Sequence, residues 1–160
     1  MKRTLLFITT ALFLWVGLSL TQPTIKNYKC LIQLNSYEGE GAYVIVSLIN
    51  PEDKYEKTLR VWGDDKEWFY ELNSWWKFYG KKRTNIDGIT GSTISGGSRS
   101  VSVIKLDPAK INKGYKIRFE TAVENENYYT KDVEFDLTTS NLKRKFSGKG
   151  FIQYIRFLPQ

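Results

Sequence analysis

The sequence predicts a mainly β domain, an immunoglobulin-like two-sheet sandwich with one α-helix inserted at about residues 64–79. Three observations carry that expectation. Seven short runs of alternating or continuously apolar residues fill the chain from residue 28 to 158. The breaks between them hold Gly, Pro, Asn and Asp, as at Asn50-Pro51 and between Asn112 and Gly114. One aromatic stretch departs from this pattern and has helical spacing.

Taken in order, the chain opens on Met1, Lys2 and Arg3, followed by the apolar run LLFITTALFLWVGLSL at 5–20. A short basic start before an apolar core is the pattern of a secretory signal. The run is shorter than the roughly 20 residues that a spanning helix needs. Small residues at Gly17, Ser19 and Thr21 offer a cleavage site. Residues 1–21 are therefore expected to be a signal peptide, with an uncleaved anchor as the alternative, and 22–160 a single domain. That places the domain in the periplasm or otherwise outside the cytoplasm.

The first expected strand, 28–34, is short and mixed. The second, AYVIVSLI at 42–49, is almost wholly apolar, as for a central strand covered on both faces. At 57–62, Thr58 and Arg60 alternate with Leu59 and Val61. Strands follow at 98–106, 115–123 and 131–137, and 151–158 ends the series. In the fifth of these, Tyr115, Ile117, Phe119, Thr121 and Val123 share one face, and Lys116, Arg118, Glu120 and Ala122 the other. Between the third and fourth strands lies DDKEWFYELNSWWKFYG. There Trp68, Leu72, Trp75 and Tyr79 recur at helical spacing. Asp64 with Glu67 suits an N-terminal capping pair, and Gly80 a C-terminal stop.

Composition excludes several classes of function. The net charge is +7, but 24 basic and 17 acidic residues are interspersed, which reads as a solvated surface. Together with export, this argues against nucleic acid as a partner. The basic turn LKRK at 142–145, with Lys149, is the local exception, suited to an acidic partner or a phosphate. Cys30 is the single cysteine, so no internal disulfide forms, and its apolar neighbours suggest a small buried strand residue. Histidine is absent, which removes histidine-based triads, histidine-ligated zinc and Cys-x-x-Cys-His haem attachment. No metal site is expected.

The segment that suggests chemistry is DGITGST at 87–93, between the aromatic stretch and the glycine-serine run GSTISGGSRS at 91–100. It reads as a flexible exposed loop with hydroxyls at Thr90, Ser92 and Thr93, open to the active site of another protein. Its order, Asp-x-x-Thr-Gly-Ser-Thr, resembles the motif recognised by the bacterial FAD:protein FMN transferase, Asp-x-x-Ser/Thr-Gly-Ala-Ser/Thr. By that resemblance Asp87, Thr90 and Gly91 are the recognition residues and Thr93 is the hydroxyl that receives FMN as a phosphoester. Ser92 stands where alanine is usual, which makes it a second candidate acceptor.

A wider set of residues resembles the periplasmic family called domain of unknown function 2271. It comprises VWGDD at 61–65, Leu72, the WWK at 75–77, Gly80, the DGITGST motif and KGYKIRFETAVE at 113–124. The resemblance covers roughly 28–158. It implies an extracytoplasmic flavoprotein that carries covalent FMN, donated from FAD, and exchanges electrons with a membrane-bound donor. It implies a carrier rather than a stand-alone enzyme. Trp76 is the candidate to stack on the flavin, while Lys77, Lys81, Lys82, Arg83 and Arg99 flank the motif and suit its phosphate. The alternative expectation is a cofactor-free immunoglobulin-like module whose exposed Trp and Tyr side chains grip a protein or glycan. Oligomeric state is open on the sequence.

Overall fold

The computed structural model describes residues 24–158, and the leader expected at 1–21 lies outside them. The elements are β1 (Lys26–Leu34), β2 (Tyr43–Ile49), β3 (Tyr55–Trp62), a 3-10 turn (Lys66–Glu71), α1 (Asn73–Lys82), β4 (Thr90–Gly91), β5 (Arg99–Leu106), β6 (Lys116–Ala122), β7 (Tyr128–Asp136), β8 (Lys145–Ser147) and β9 (Ile152–Leu158). They form two sheets, of order β5-β1-β9-β8 and β4-β3-β2-β6-β7. Apart from the short parallel pair β3–β4, the strand pairings are antiparallel. The chain is thus the mainly β sandwich that its alternating runs predict, with all seven expected strands present.

Residues from both sheets, among them Cys30, Ile32, Val44, Val46, Trp62, Ile104, Phe119 and Ile155, meet in the main core. Burial pushes the Cys30 thiol up to about 12, so it is an inert packing residue there. A second apolar cluster covers the outer face of the five-stranded sheet. In it, Tyr43, Ile45, Val61 and Ala122 pack under Phe69, Leu72 and Trp75 of the helical insert. The molecule therefore has three layers at this point, and β2 is buried along its whole length because it is covered on both faces. The same cover buries the face of β6 expected to be polar: Arg118, Glu120 and Ala122 are 4%, 0% and 4% exposed.

The insert is where the structure departs most from expectation. A continuous helix over 64–79 is replaced by the 3-10 turn and α1, separated by Leu72 at φ −77°, ψ 57°. Phe69, Leu72 and Trp75 are the buried residues, at 1%, 0% and 0% exposure. Their spacing of three is the repeat of a 3-10 helix, not the 3.6 that pointed to Trp68 and Tyr79. The cap is Asp65 rather than Asp64: its side chain accepts from Glu67 N at 3.0 Å. Nor does Gly80 stop the helix. α1 continues to Lys82 and ends on Arg83 in the left-handed conformation (φ 39°, ψ 45°).

β3 carries a second departure. Opposite β2, Val46 faces Arg60 but Ser47 faces Thr58, so Leu59 is the extra residue of a bulge. The simple alternation expected for 57–62 is therefore broken. Thr58 turns under the helix, where its Oγ1 accepts from Trp75 Nε1 at 2.9 Å. Leu59 and Trp62 join the main core and Val61 the second cluster. Arg60 lies on the same face as Trp62, as regular alternation from 60 to 62 requires, with its guanidinium 5.3 Å from the centre of that ring.

Candidate functional site

The DGITGST segment is held on both sides, which corrects the expectation of a freely flexible loop. Before it, Ile86 is buried in the cluster under the insert. Asp87 begins a 3-10 turn, is exposed, and pairs with Lys66 Nζ at 3.0 Å. Its backbone N–H donates to Asn85 Oδ1 at 2.9 Å. Thr90 Oγ1 donates back to Ile86 O at 2.9 Å and so closes the turn. Thr90 and Gly91 then run parallel to Val61 and Trp62, and Gly91 O accepts from Gly63 N at 2.6 Å. Beyond the motif, Ile94 enters the main core and pairs with Ala42 through two backbone hydrogen bonds of 2.7 and 3.0 Å. Only Ser92 and Thr93 lie between these two clamps.

Ser92 is exposed and Thr93 is half-buried. Both line a solvent-open cleft of about 420 Å³, together with Arg60, Trp62, Gly91, Ile94, Ser95, Ser98, Arg99 and Ser100. That volume falls within the roughly 300–1,000 Å³ of small-molecule sites. Two glycines are required by close approach. A Cβ at Gly41 would overlap Thr93 Oγ1, and one at Gly91 would lie 3.1 Å from Arg60 Nη2. Gly91 thus matters for the room it leaves beside Arg60, since its φ is not in the left-handed region.

The floor of the cleft is fixed. Trp62 Nε1 donates to Ser100 Oγ at 2.9 Å. Arg99 is tethered at the rim, where Nε donates to Gln33 Oε1 at 3.1 Å and Nη2 to Tyr154 Oη at 3.2 Å. Arg60 is different. It is half-buried, and its Nε is shielded from solvent without a hydrogen-bond partner. Desolvation holds its pKa below the usual value, and an arginine remains a cation despite that. The lining holds two guanidinium groups, four serines and a threonine, but no carboxylate and no cysteine. Such a set binds anions. It contains no general base for activating an alcohol.

Several residues singled out in the sequence do not reach this cleft. Trp76 packs along α1 against Gly80 and Tyr79, with ring centres 5.8 Å apart in the second case. The aromatic that does line the cleft is Trp62. Trp75 stacks on Tyr79 at 4.7 Å and is fully buried. Of the flanking cations only Arg99 is present, while Lys82 lies over Phe78 at 5.4 Å and does not line this cleft. The basic turn at 142–145 is dispersed: Leu142 is buried, Arg144 covers Phe146 and Lys145 covers Tyr154. Lys143, with Lys26 and Arg156, lines a larger cleft of about 900 Å³ that holds no motif residue. Arg60, Trp62 and Gly41 are the site residues that sequence reasoning missed. Alternation puts Arg60 and Trp62 on one face of β3, but it gives no sign that the parallel pairing of β4 to β3 brings the motif beside that face.

Among the described residues no helix is long and apolar enough to cross a membrane. A family model described as Predicted periplasmic protein (DUF2271) matches residues 26–154. No curated protein and no solved structure matches the chain.

Proposed function

The chain belongs to the family described as Predicted periplasmic protein (DUF2271), and from that premise we propose that it is an extracytoplasmic electron-transfer protein carrying FMN covalently on Thr93. The observation that carries this reading is that Thr93, the motif's last hydroxyl residue, lines a cleft with two guanidinium groups and no carboxylate. A phosphate diester attached there meets complementary charge and loses none to a neighbouring acid. The lining fits the group: one buried arginine nitrogen lacks a partner, and Gly91 and Gly41 leave room around it and around Thr93.

In the transfer, the pyrophosphate of FAD is cleaved and a P–O bond forms to Thr93 Oγ1. AMP leaves, and the hydroxyl proton passes to a base of the FAD:protein FMN transferase. This chain supplies the acceptor and its presentation. Backbone pairing of Thr90–Gly91 to β3 and of Ile94 to Ala42 holds Thr93 over the cleft. A flavin held there would supply redox chemistry, between a membrane-bound donor and an acceptor outside the cytoplasm. Covalent attachment suits a compartment from which a diffusible cofactor would be lost.

Co-expression with the transferase, followed by intact mass and visible absorbance, tests the reading. Wild-type protein is expected to gain one FMN, and Thr93→Ala none. A second reading, a cofactor-free module for a protein or glycan, is favoured by Tyr70, which is 51% exposed and stacks with Trp68 at 6.4 Å. An unmodified wild-type protein in the presence of active transferase would favour that second reading.

A further inference from the structure

Arginine 60 is the cation in the cleft that the fold leaves unanswered. Arg60 shares a face of β3 with Trp62, two residues on, and its guanidinium sits 5.3 Å from the indole centre. Its Nε is shielded from water and bonded to nothing, and its Nη2 lies beside the bare Cα of Gly91. Other cations of the fold are answered: Arg118 is bonded to Glu134 at 2.5 Å, and Arg99 to Gln33 and Tyr154. An arginine stacked on an aromatic keeps its planar fork free for a bidentate anion. We propose that Arg60 is a positioning residue that grips the phosphodiester joining FMN to Thr93, with Trp62 as its backing plate and Gly91 as the gap through which it reaches.

This rests on the reading of Thr93 as the acceptor. After transfer the phosphorus carries two ester oxygens and two free ones that share one negative charge. A guanidinium fork matches that pair of oxygens in both geometry and charge, which a lysine ammonium does only as a point charge. Arg60 is not the base in forming the bond, since its guanidinium stays protonated and cannot accept the hydroxyl proton. Its effect appears afterwards, as order in the attached group and as added stability of the modified protein.

The experiment compares wild type, Arg60→Gln and Arg60→Lys, each purified with and without co-expressed transferase. Intact mass establishes the adduct, thermal unfolding measures the gain in Tm on modification, and the phosphorus NMR shift reports the diester's surroundings. All three proteins are expected to be modified, because the transferase reads the motif at 87–93. Unmodified Arg60→Gln is expected to unfold at or above the wild-type temperature, since an unpaired desolvated cation has been removed. On modification, the wild type should gain roughly 3 °C or more beyond the gain of Arg60→Gln, with Arg60→Lys between them. The phosphorus resonance of Arg60→Gln should move to that of a solvated diester.

Equal gains and equal phosphorus shifts in modified wild type and Arg60→Gln would overturn the gripping role while leaving Thr93 as acceptor. Loss of the adduct in Arg60→Gln alone would assign Arg60 to transferase recognition and overturn it as well. Absence of any adduct on wild type would overturn both readings together.

Discussion

Asp132 on β7 and Arg60 on β3 are two charged side chains that the chain surrounds in opposite ways. Asp132 is 0% exposed and fully answered. Its carboxylate accepts from Thr121 Oγ1 at 2.5 Å and from the backbone N–H groups of Lys149, Gly150 and Ile152 at 2.8, 2.9 and 3.0 Å. Two of those donors lie in the loop between β8 and β9 and the third, Ile152, begins β9, so the carboxylate ties that corner to the five-stranded sheet. Arg60 is only half-buried, yet its Nε has no partner. A buried charge serves structure when the chain supplies every partner, because an unmet one costs free energy. Where the fold leaves such a group open onto a cleft beside a candidate acceptor, the missing partner is to be sought outside the chain.

The contrast can be broken by mutation, and the largest effect belongs to Asp132. Asp132→Ala would leave a hydroxyl and three backbone N–H groups without their acceptor. It should lower stability by on the order of 4 kcal/mol, read as a fall in the urea midpoint. A loss under about 1 kcal/mol would show that water replaces the carboxylate freely and would remove one side of the comparison.

Glu120 stands between these extremes. It is fully buried and accepts from Tyr128 Oη, but its Oε1 has no partner. Burial raises its pKa from 4.5 to about 7, against the opposing effects of Tyr128, Tyr55 and Arg118. In the unfolded chain it ionises earlier than in the fold. Its stabilising contribution is therefore complete below pH 4.5 and lost as the pH rises to about 7. The loss is on the order of 3 kcal/mol. Glu120→Gln should flatten that part of the stability profile, as measured by denaturation at pH 5 and pH 8, and an unchanged slope would exclude Glu120 as its source.

The hydrogen bond between Thr58 and Trp75 is a smaller case of the same accounting. Thr58→Val leaves the buried indole N–H unmet and should cost about 1–2 kcal/mol in thermal or urea unfolding. Smallest of all, Arg60→Gln in the unmodified protein should change stability by no more than about 0.5 kcal/mol, or raise it. A large loss there would show that Arg60 is a structural residue like Asp132, and the contrast would fail.

The long elements of this fold were legible because period-2 and period-3.6 patterns report burial directly. β2 read correctly for that reason, whereas in β6 the alternation gave the strand but not the burial of its charged face. β4 and β8, of two and three residues, are too short for any periodicity to register. The insert was recognised as helical, but Leu72 breaks it and the 3-10 turn rotates Phe69 inward in place of Trp68. At the site, the motif residues Asp87, Thr90, Gly91, Ser92 and Thr93 were visible as a linear string. Arg60 and Trp62 were not, because only the parallel pairing of β4 to β3 brings them beside a motif about thirty residues away in the chain. Helical spacing lets Trp76 face outward while Trp75 packs on the sheet, but packing along α1 turns Trp76 onto Gly80 and Tyr79.

The most direct test is the site of attachment. Trypsin cleaves after Arg83 and Arg99 and releases a peptide of residues 84–99 that contains Thr90, Ser92 and Thr93 together. From protein co-expressed with the transferase, fragmentation of that peptide is predicted to put one FMN on Thr93. Its appearance on Ser92 instead, or a bare peptide from cells in which the transferase is active, would contradict the account.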